Sequence, residues 1–321
     1  MKQINIRNYF FNIFGLFALV LVLAACGAAA DGNSKEIKIG YQKNGTTLSM
    51  KNSKAFKNDF EELGYKVTWS EFNTGSSILE ALNAGSIDFA GAGDIPSLFA
   101  LDKGGSFKYI GSEPDGPTSE GILVGKDSGI DSLEKLKGKK VAFNNASIAQ
   151  YLLTKSLESV GLTIDDIEVV HLTPPDASIA FGKGDVDAWV VWDPYLAVAE
   201  SQGNVVLQTA EGLVPYRSFY FSTAEMTDEH PELVKTFVEH LGQIGKDIDN
   251  DPEKAARLME EETKIAAETW EVILKRKNSR IKYIEEDAVR DLQTQVKDLL
   301  EIGLIENDMN VKESIWYPES K

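Results

Sequence analysis

A single cysteine and three histidines are all that the 321 residues offer for crosslinking or binding soft metals. One thiol excludes a disulfide framework and a thiolate metal cluster. His171, His230 and His240 fall in a predicted strand, just ahead of a proline and in a predicted helix. None has a partner at metal-ligand or catalytic-triad spacing, so no cofactor or metal is expected. Basic residues are also in deficit: 33 Lys+Arg face 50 Asp+Glu, a net charge of −17. A nucleic-acid binder needs basic surface to displace counterions from phosphates, which argues against that class. The chain has no Gly-x-Ser-x-Gly nucleophile elbow and no P-loop. The stretch Gly91-Ala92-Gly93-Asp94-Ile95-Pro96 has Pro where a dinucleotide fingerprint needs its third Gly. What is present is 43% apolar and 26% charged, the composition of a globular protein long enough for two lobes.

The first residues carry Lys2 and Arg7 and then an apolar run from Ile13 to Ala25, ending at Cys26. That run is too short to span roughly 30 Å of hydrocarbon, so it reads as a signal peptide. Leu23-Ala24-Ala25-Cys26 resembles a bacterial lipobox, which implies cleavage before Cys26 and acylation of its thiol; the alternative is a free cysteine at the end of a hydrophobic signal. The expected layout is a lipoprotein signal peptide over 1–25 and a lipidated tether over 26–35. The body would then sit on the extracytoplasmic face of a cell membrane, of the Gram-positive type.

From Ile37 onward short strands alternate with helices, as in α/β layers. Two stretches resemble each other: Gly85-Ser86-Ile87-Asp88 with Asp94 ahead of Pro96, and Gly184-Asp185-Val186-Asp187 with Asp193 ahead of Pro194. Each reads as a strand running into a helix with Pro near its start. Upstream of both lies the same succession of strand, loop, helix, Gly and strand. In the first copy the helix is expected near Met50–Leu63, ended by Gly64; in the second near Ile148–Val160, ended by Gly161. Asp131-Ser132-Leu133-Glu134 reads as a capping box opening a short helix. The expected architecture is α/β with two βαβαβ lobes facing each other: 36–113 plus 222–321 as the first, 114–221 as the second.

Ligands of parallel α/β sheets bind beyond the carboxyl ends of the strands, where helix N-termini offer unpaired N–H groups to anions. Four such ends are predicted here: Tyr41–Thr47, Gly93–Pro96, Phe143–Ser147 and Trp192–Pro194. If they converge, backbone donors can hold an anion without net positive charge on the protein.

Tyr41-Gln42-Lys43, Leu79 through Asp88, Gly93-Asp94-Ile95-Pro96, Glu113-Pro114 and Ala188 through Tyr195 resemble the aliphatic-sulfonate-binding proteins of ABC importers, and the likeness runs from Lys35 to Trp316. The resemblance implies a type II periplasmic-binding-protein fold, two mixed-sheet lobes joined by a two-strand hinge. It also implies a non-enzymatic, monomeric clamp that hands an organosulfonate to a membrane permease. Taurine, nitrate or another small oxyanion is the alternative ligand, and an enzyme on the same fold the alternative class. Asn144-Asn145-Ala146-Ser147 replaces the family's Gly/Ser-rich loop, and Arg217 is unusual at its position.

The candidate ligand-binding residues are Gln42, Thr46, Thr47, Gly93, Asp94, Asn145, Ser147, Trp192, Asp193 and Arg217. Gln42 has an amide to donate. Thr46, Thr47 and Ser147 are helix caps, ligand donors or both. Asp94 and Asp193 are N-caps, unless the ligand carries a cation for them to meet, as taurine does. Trp192 stands at a strand end where its ring can line an alkyl chain, whereas Trp189 belongs to the core. Arg217 either clamps an anion in bidentate fashion or pairs with surface acids.

Overall fold

The repeated motif works as a strand clamp, and it does so twice. Gly85 and Gly184 adopt left-handed backbone (φ +66° and +76°), turning the chain out of a helix. Ile87 and Val186 are buried two residues later. Asp88 then binds Lys38 on both sides, its N–H donating to Lys38 O at 2.7 Å and its Oδ2 accepting from Lys38 N at 2.7 Å. Asp187 does the same with Lys140, at 2.8 Å and 2.8 Å. Each aspartate thereby ties its strand to the strand that opens its own copy of the repeat.

The computed structural model describes residues 35–43 and 45–318; the expected signal peptide, Cys26 and the tether to residue 34 lie outside them. The first copy contains β1 (Lys35–Tyr41), α1 (Gly45–Lys51), α2 (Lys54–Glu62), β2 (Tyr65–Glu71), α3 (Gly75–Asn83), β3 (Phe89–Gly93), α4 (Asp94–Asp102) and β4 (Lys108–Ser112). After a crossing come β5 (Glu120–Val124), β6 (Lys140–Phe143), α5 (Ile148–Ser159), β7 (Glu168–His171), α6 (Pro174–Lys183), β8 (Ala188–Trp192), α7 (Tyr195–Ser201) and β9 (Val205–Thr209). The chain returns through β10 (Ser218–Ser222) and ends in α8 (Ala224–Glu229), α9 (Pro231–Asn250), α10 (Pro252–Thr263), α11 (Ala267–Arg276) and α12 (Glu286–Glu301).

Two mixed five-stranded sheets result, ordered β2-β1-β3-β10-β4 and β7-β6-β8-β5-β9. The orders match place for place. In each sheet the fourth position is an antiparallel strand entered directly after a crossing between sheets, β10 in the first and β5 in the second. The expectation that the second lobe runs through 221 is corrected by this pairing, because β10 is hydrogen-bonded between β3 and β4 of the first sheet.

Two further expectations change. The single helix expected near Met50–Leu63 is broken at Asn52-Ser53, where Ser53 leaves helical geometry and its hydroxyl accepts from Phe56 N at 3.3 Å, capping α2. Asp131–Glu134 opens only a short 3-10 turn over Leu133–Leu136, and Ser132 makes no side-chain cap to its backbone.

One core cluster lies under the first sheet, with Phe89 and Phe237 stacked at 4.3 Å beside Phe56 and Phe60. Another joins the lobes, bringing Leu98 of α4, Leu152 of α5 and Val289 of α12 into one buried mass. Burying each such side chain contributes roughly 1.5–3 kcal/mol. In α9, Gly245 allows the loop after α11 to approach: a Cβ there would lie 1.7 Å from Ser279 O.

Candidate ligand site between the two sheets

All four predicted strand ends open on one cavity. It encloses about 80 Å³, several times the 10–15 Å³ that one water requires. The first lobe contributes Gln42, Gly45 and Thr46 after β1, Gly75 at the start of α3, Gly93 at the end of β3 and Pro96 in the first turn of α4. The second contributes Ser147 and Ile148 after β6, Trp192 at the end of β8, and Asp193 and Pro194 after it. The connecting segments add Glu113, Ser119 and Tyr216, β10 adds Ser218, and the α11 region adds Trp270, Ile273, Leu274, Lys277 and Ser279.

Helices α3, α4 and α5 therefore begin at this cavity. First-turn N–H groups of a helix have no acceptor within it, and the dipole there is positive. The approach of α3 to α4 is close: a Cβ on Gly75 would lie 2.7 Å from Pro96, so the first position of α3 needs glycine. Hydroxyls stand among these termini. Ser147 caps α5, accepting from Ala149 N at 3.2 Å and donating to Asn144 O at 2.6 Å. Ser119 Oγ is buried and has no hydrogen-bond partner.

The charged groups at the cavity are already matched. Lys277 Nζ lies 2.5 Å from Glu113 Oε2 and also donates to Ser218 Oγ. The other oxygen of Glu113 accepts from Thr46 Oγ1 at 3.0 Å and Tyr220 OH at 2.6 Å. Asp193 accepts from Ala197 N at 3.0 Å and from Arg276 Nη1 at 3.2 Å. Burial pushes the Asp193 carboxyl up to about 6, against the opposing pull of Arg276. Beside the cavity, Glu120 is buried with neither carboxylate oxygen bonded, and this burial holds its pKa well above the carboxylate range. Lining cations and anions thus cancel almost locally, leaving N–H and O–H groups to meet an anionic guest. Trp192, Ile273 and Leu274 add apolar lining that suits a hydrocarbon tail.

Of the ten sequence candidates, Gln42, Thr46, Gly93, Ser147, Trp192 and Asp193 line the cavity. Thr47, Asp94, Asn145 and Arg217 do not. Thr47 is buried with its methyl toward Gly91, and Asn145 is exposed. Asp94 turns inward, accepting from Ile95 N at 2.8 Å, Arg217 N at 3.0 Å and Gln295 Nε2 at 2.8 Å. Its pKa is pushed up to about 6, chiefly by burial. Arg217 does not clamp the cavity: Nη2 and Nε donate to Asp287 at 2.8 Å and Asp291 at 2.6 Å, both on α12. Sequence reading missed the Glu113–Lys277 pair, Ser119, Tyr216 and the α11 wall. The helical spacing of Trp270, Ile273 and Leu274 was the available signal for that wall.

Among the described residues no group of three or more His, Cys, Asp or Glu is arranged to hold a metal ion, and no helix is long and apolar enough to cross a membrane.

The family model described as NMT1/THI5 like matches residues 55–255. A relative in Escherichia coli K12, provisionally named an aliphatic-sulfonates-binding protein, is 34% identical over 312 residues, covering 96% of this chain and 97% of the relative. Among solved structures, the alkanesulfonate-binding protein SsuA of Xanthomonas axonopodis pv. citri, bound to MOPS, superposes with a TM-score of 0.82 at 30% identity. That match covers 88% of this chain and 98% of the other. The periplasmic aliphatic sulphonate binding protein SsuA of Escherichia coli gives 0.77 at 31% identity, covering 88% and 97%. The two-sheet architecture is thus that of the periplasmic binding proteins, and the chain belongs to the NMT1/THI5-like family, grouping with its aliphatic-sulfonate-binding members.

Proposed function

We propose that this protein is an extracytoplasmic solute-binding component of an ABC importer that captures an aliphatic sulfonate between its lobes and hands it to a permease. The observation that carries this reading is the meeting of three helix N-termini and the Ser119 hydroxyl with an apolar wall, in a cavity whose charges are already paired. A sulfonate's three oxygens match such donors, at about 1.5–3 kcal/mol for each hydrogen bond to a charged group. Gln42, Thr46, Gly93 and Ser147 surround the head group in this reading, and Trp192 packs against the chain. Asp193 and Glu113 already hold cations, so a ligand ammonium gains little from them and taurine binds more weakly than an alkanesulfonate. No reaction is involved: the guest favours the closed arrangement by binding it better.

Isothermal titration against C2–C6 alkanesulfonates, taurine, nitrate, bicarbonate and sulfate tests this. The expected result is binding of an alkanesulfonate at about micromolar Kd; heat only with nitrate or bicarbonate overturns it. The protein acts as a monomer anchored through acylated Cys26 to the outer face of a cell membrane, of Gram-positive type. Cys26→Ala is expected to leave titration heats unchanged and release the protein from the membrane fraction. Retention of that variant in the membrane contradicts the anchor.

A further inference from the structure

Both ends of α11 are tied to the first lobe. In its first turn Trp270 Nε1 donates to Thr263 Oγ1 of α10 at 2.9 Å, and the chain beyond it is bonded to the end of β4, where Ser112 and Lys282 exchange N–H···O bonds of 2.9 and 3.2 Å. Its last residue nevertheless grips the second lobe. Arg276 Nη1 donates to both oxygens of Asp193, at 3.2 and 3.4 Å, and Nη2 donates to Glu200 of α7. The side chains of Arg276 and Asp193 are only 17% and 6% exposed, so water screens this contact little. Asp193 lies between Trp192 and Pro194, and all three are also wall of the ligand cavity.

We propose that Arg276 is a latch between the lobes, a positioning residue that holds the clamp shut from outside the ligand's contacts; this rests on the solute-binding reading above. Separating the lobes must pull the guanidinium from two carboxylates at once. A guest seated against Trp192 keeps Asp193 in place for Arg276, and Arg276 keeps that wall over the guest. Each contact therefore favours the other. The latch acts on the closed population, so its loss weakens apparent affinity by the fraction of closed protein lost. It must break before a bound guest can leave, so most of the change falls on dissociation.

The test uses the whole chain carrying Arg276→Gln, Glu200→Gln or Arg276→Lys, with stopped-flow binding of hexanesulfonate and small-angle scattering of the ligand-free protein. Arg276→Gln is expected to speed dissociation by roughly tenfold or more, with association changed less than about threefold, and to enlarge the ligand-free radius of gyration. Glu200→Gln moves both readings the same way but less. Arg276→Lys falls between Arg276→Gln and the parent, because an ammonium lacks the two-armed fork. Unchanged dissociation and scattering in both Gln variants overturn the latch. If Arg276→Gln does not fold, Glu200→Gln, which leaves the Asp193 contact in place, decides. Should the parent bind no sulfonate, the solute reading fails while the scattering comparison still judges the latch.

Discussion

The two copies of the repeat end in aspartates that start alike and finish differently. Asp94 N donates to Arg217 O at 3.1 Å and Asp193 N to Ser119 O at 2.8 Å, so each fastens the end of its strand to the residue that enters the neighbouring antiparallel strand. Both carboxyls are buried and both pKa values rise to about 6. Asp94, however, is surrounded by three N–H donors of its own lobe and α12 and is sealed away from the cavity. Asp193 stands in the cavity wall and faces Arg276 from the other lobe. The same backbone device thus stands in both halves, while only one copy's side chain lies in the cavity wall and meets the other lobe.

Removing the two side chains should separate these roles. Asp94→Ala leaves three buried N–H donors unfilled and is expected to cost about 3 kcal/mol or more of stability, read as a fall in denaturation midpoint, with alkanesulfonate affinity little changed in the folded fraction. Asp193→Ala is expected to do the reverse, losing roughly tenfold or more in affinity for a smaller loss of stability. Equal effects of both substitutions on affinity would erase the distinction.

The same pair fixes the sign of a pH effect. Asp94 has a folded pKa of about 6, against 3.8 for an aspartate in the unfolded chain. Between those values the folded protein keeps a proton that the unfolded chain has released, so stability from this group falls as pH rises from about 4 to about 6. At full burial the loss amounts to about 3 kcal/mol, and Asp193 adds to it with the same sign. Denaturant titrations of the parent and Asp94→Asn across that range should show the parent's relative stability declining with pH. A difference independent of pH would mean that Asp94 is not desolvated as described.

A third test addresses Lys277 in the cavity wall. Glu113→Gln with Lys277→Met removes the ion pair as a unit, leaving no unpaired buried charge. Affinity for an alkanesulfonate is expected to stay within about tenfold of the parent; a larger loss would make Lys277 the principal anion contact. The smallest effect concerns the strand clamps. Asp88→Ala should cost about 1 kcal/mol and Asp187→Ala less, because Asp88 is half-buried and Asp187 exposed. Thermal melts rank the two, and the opposite order would show that the clamps are not equivalent.

Much of this fold was legible because local signals agreed. Glycines ending helices, an aspartate three residues later and alternating apolar strands recur in one order, and the two sheets repeat that order strand for strand. The exchange of β10 and β5 was harder to read, since strand pairing across a crossing leaves no periodic mark. In the site, residues at strand ends were legible: Gln42, Thr46, Gly93, Ser147, Trp192 and Asp193 reach the cavity. Arg217 and Asp94 were left between two roles, because local sequence shows a charge but not which way it turns; Arg217 pairs with acids and Asp94 binds backbone N–H groups, and neither lines the cavity. Their partners Asp287, Asp291 and Gln295 lie on a helix about 70 and 200 residues later. Lys277 and Arg276 escaped for the same reason: their acids are brought to them only by the return of the chain.

The most direct test is a crystal structure of the protein with hexanesulfonate. The expected complex has the sulfonate oxygens within hydrogen-bonding distance of peptide N–H groups from both lobes, at the starts of α3 and α5, with the alkyl chain along Trp192 and Ile273. A sulfonate held by lysine or arginine side chains alone, or seated outside the gap between the sheets, would contradict the account.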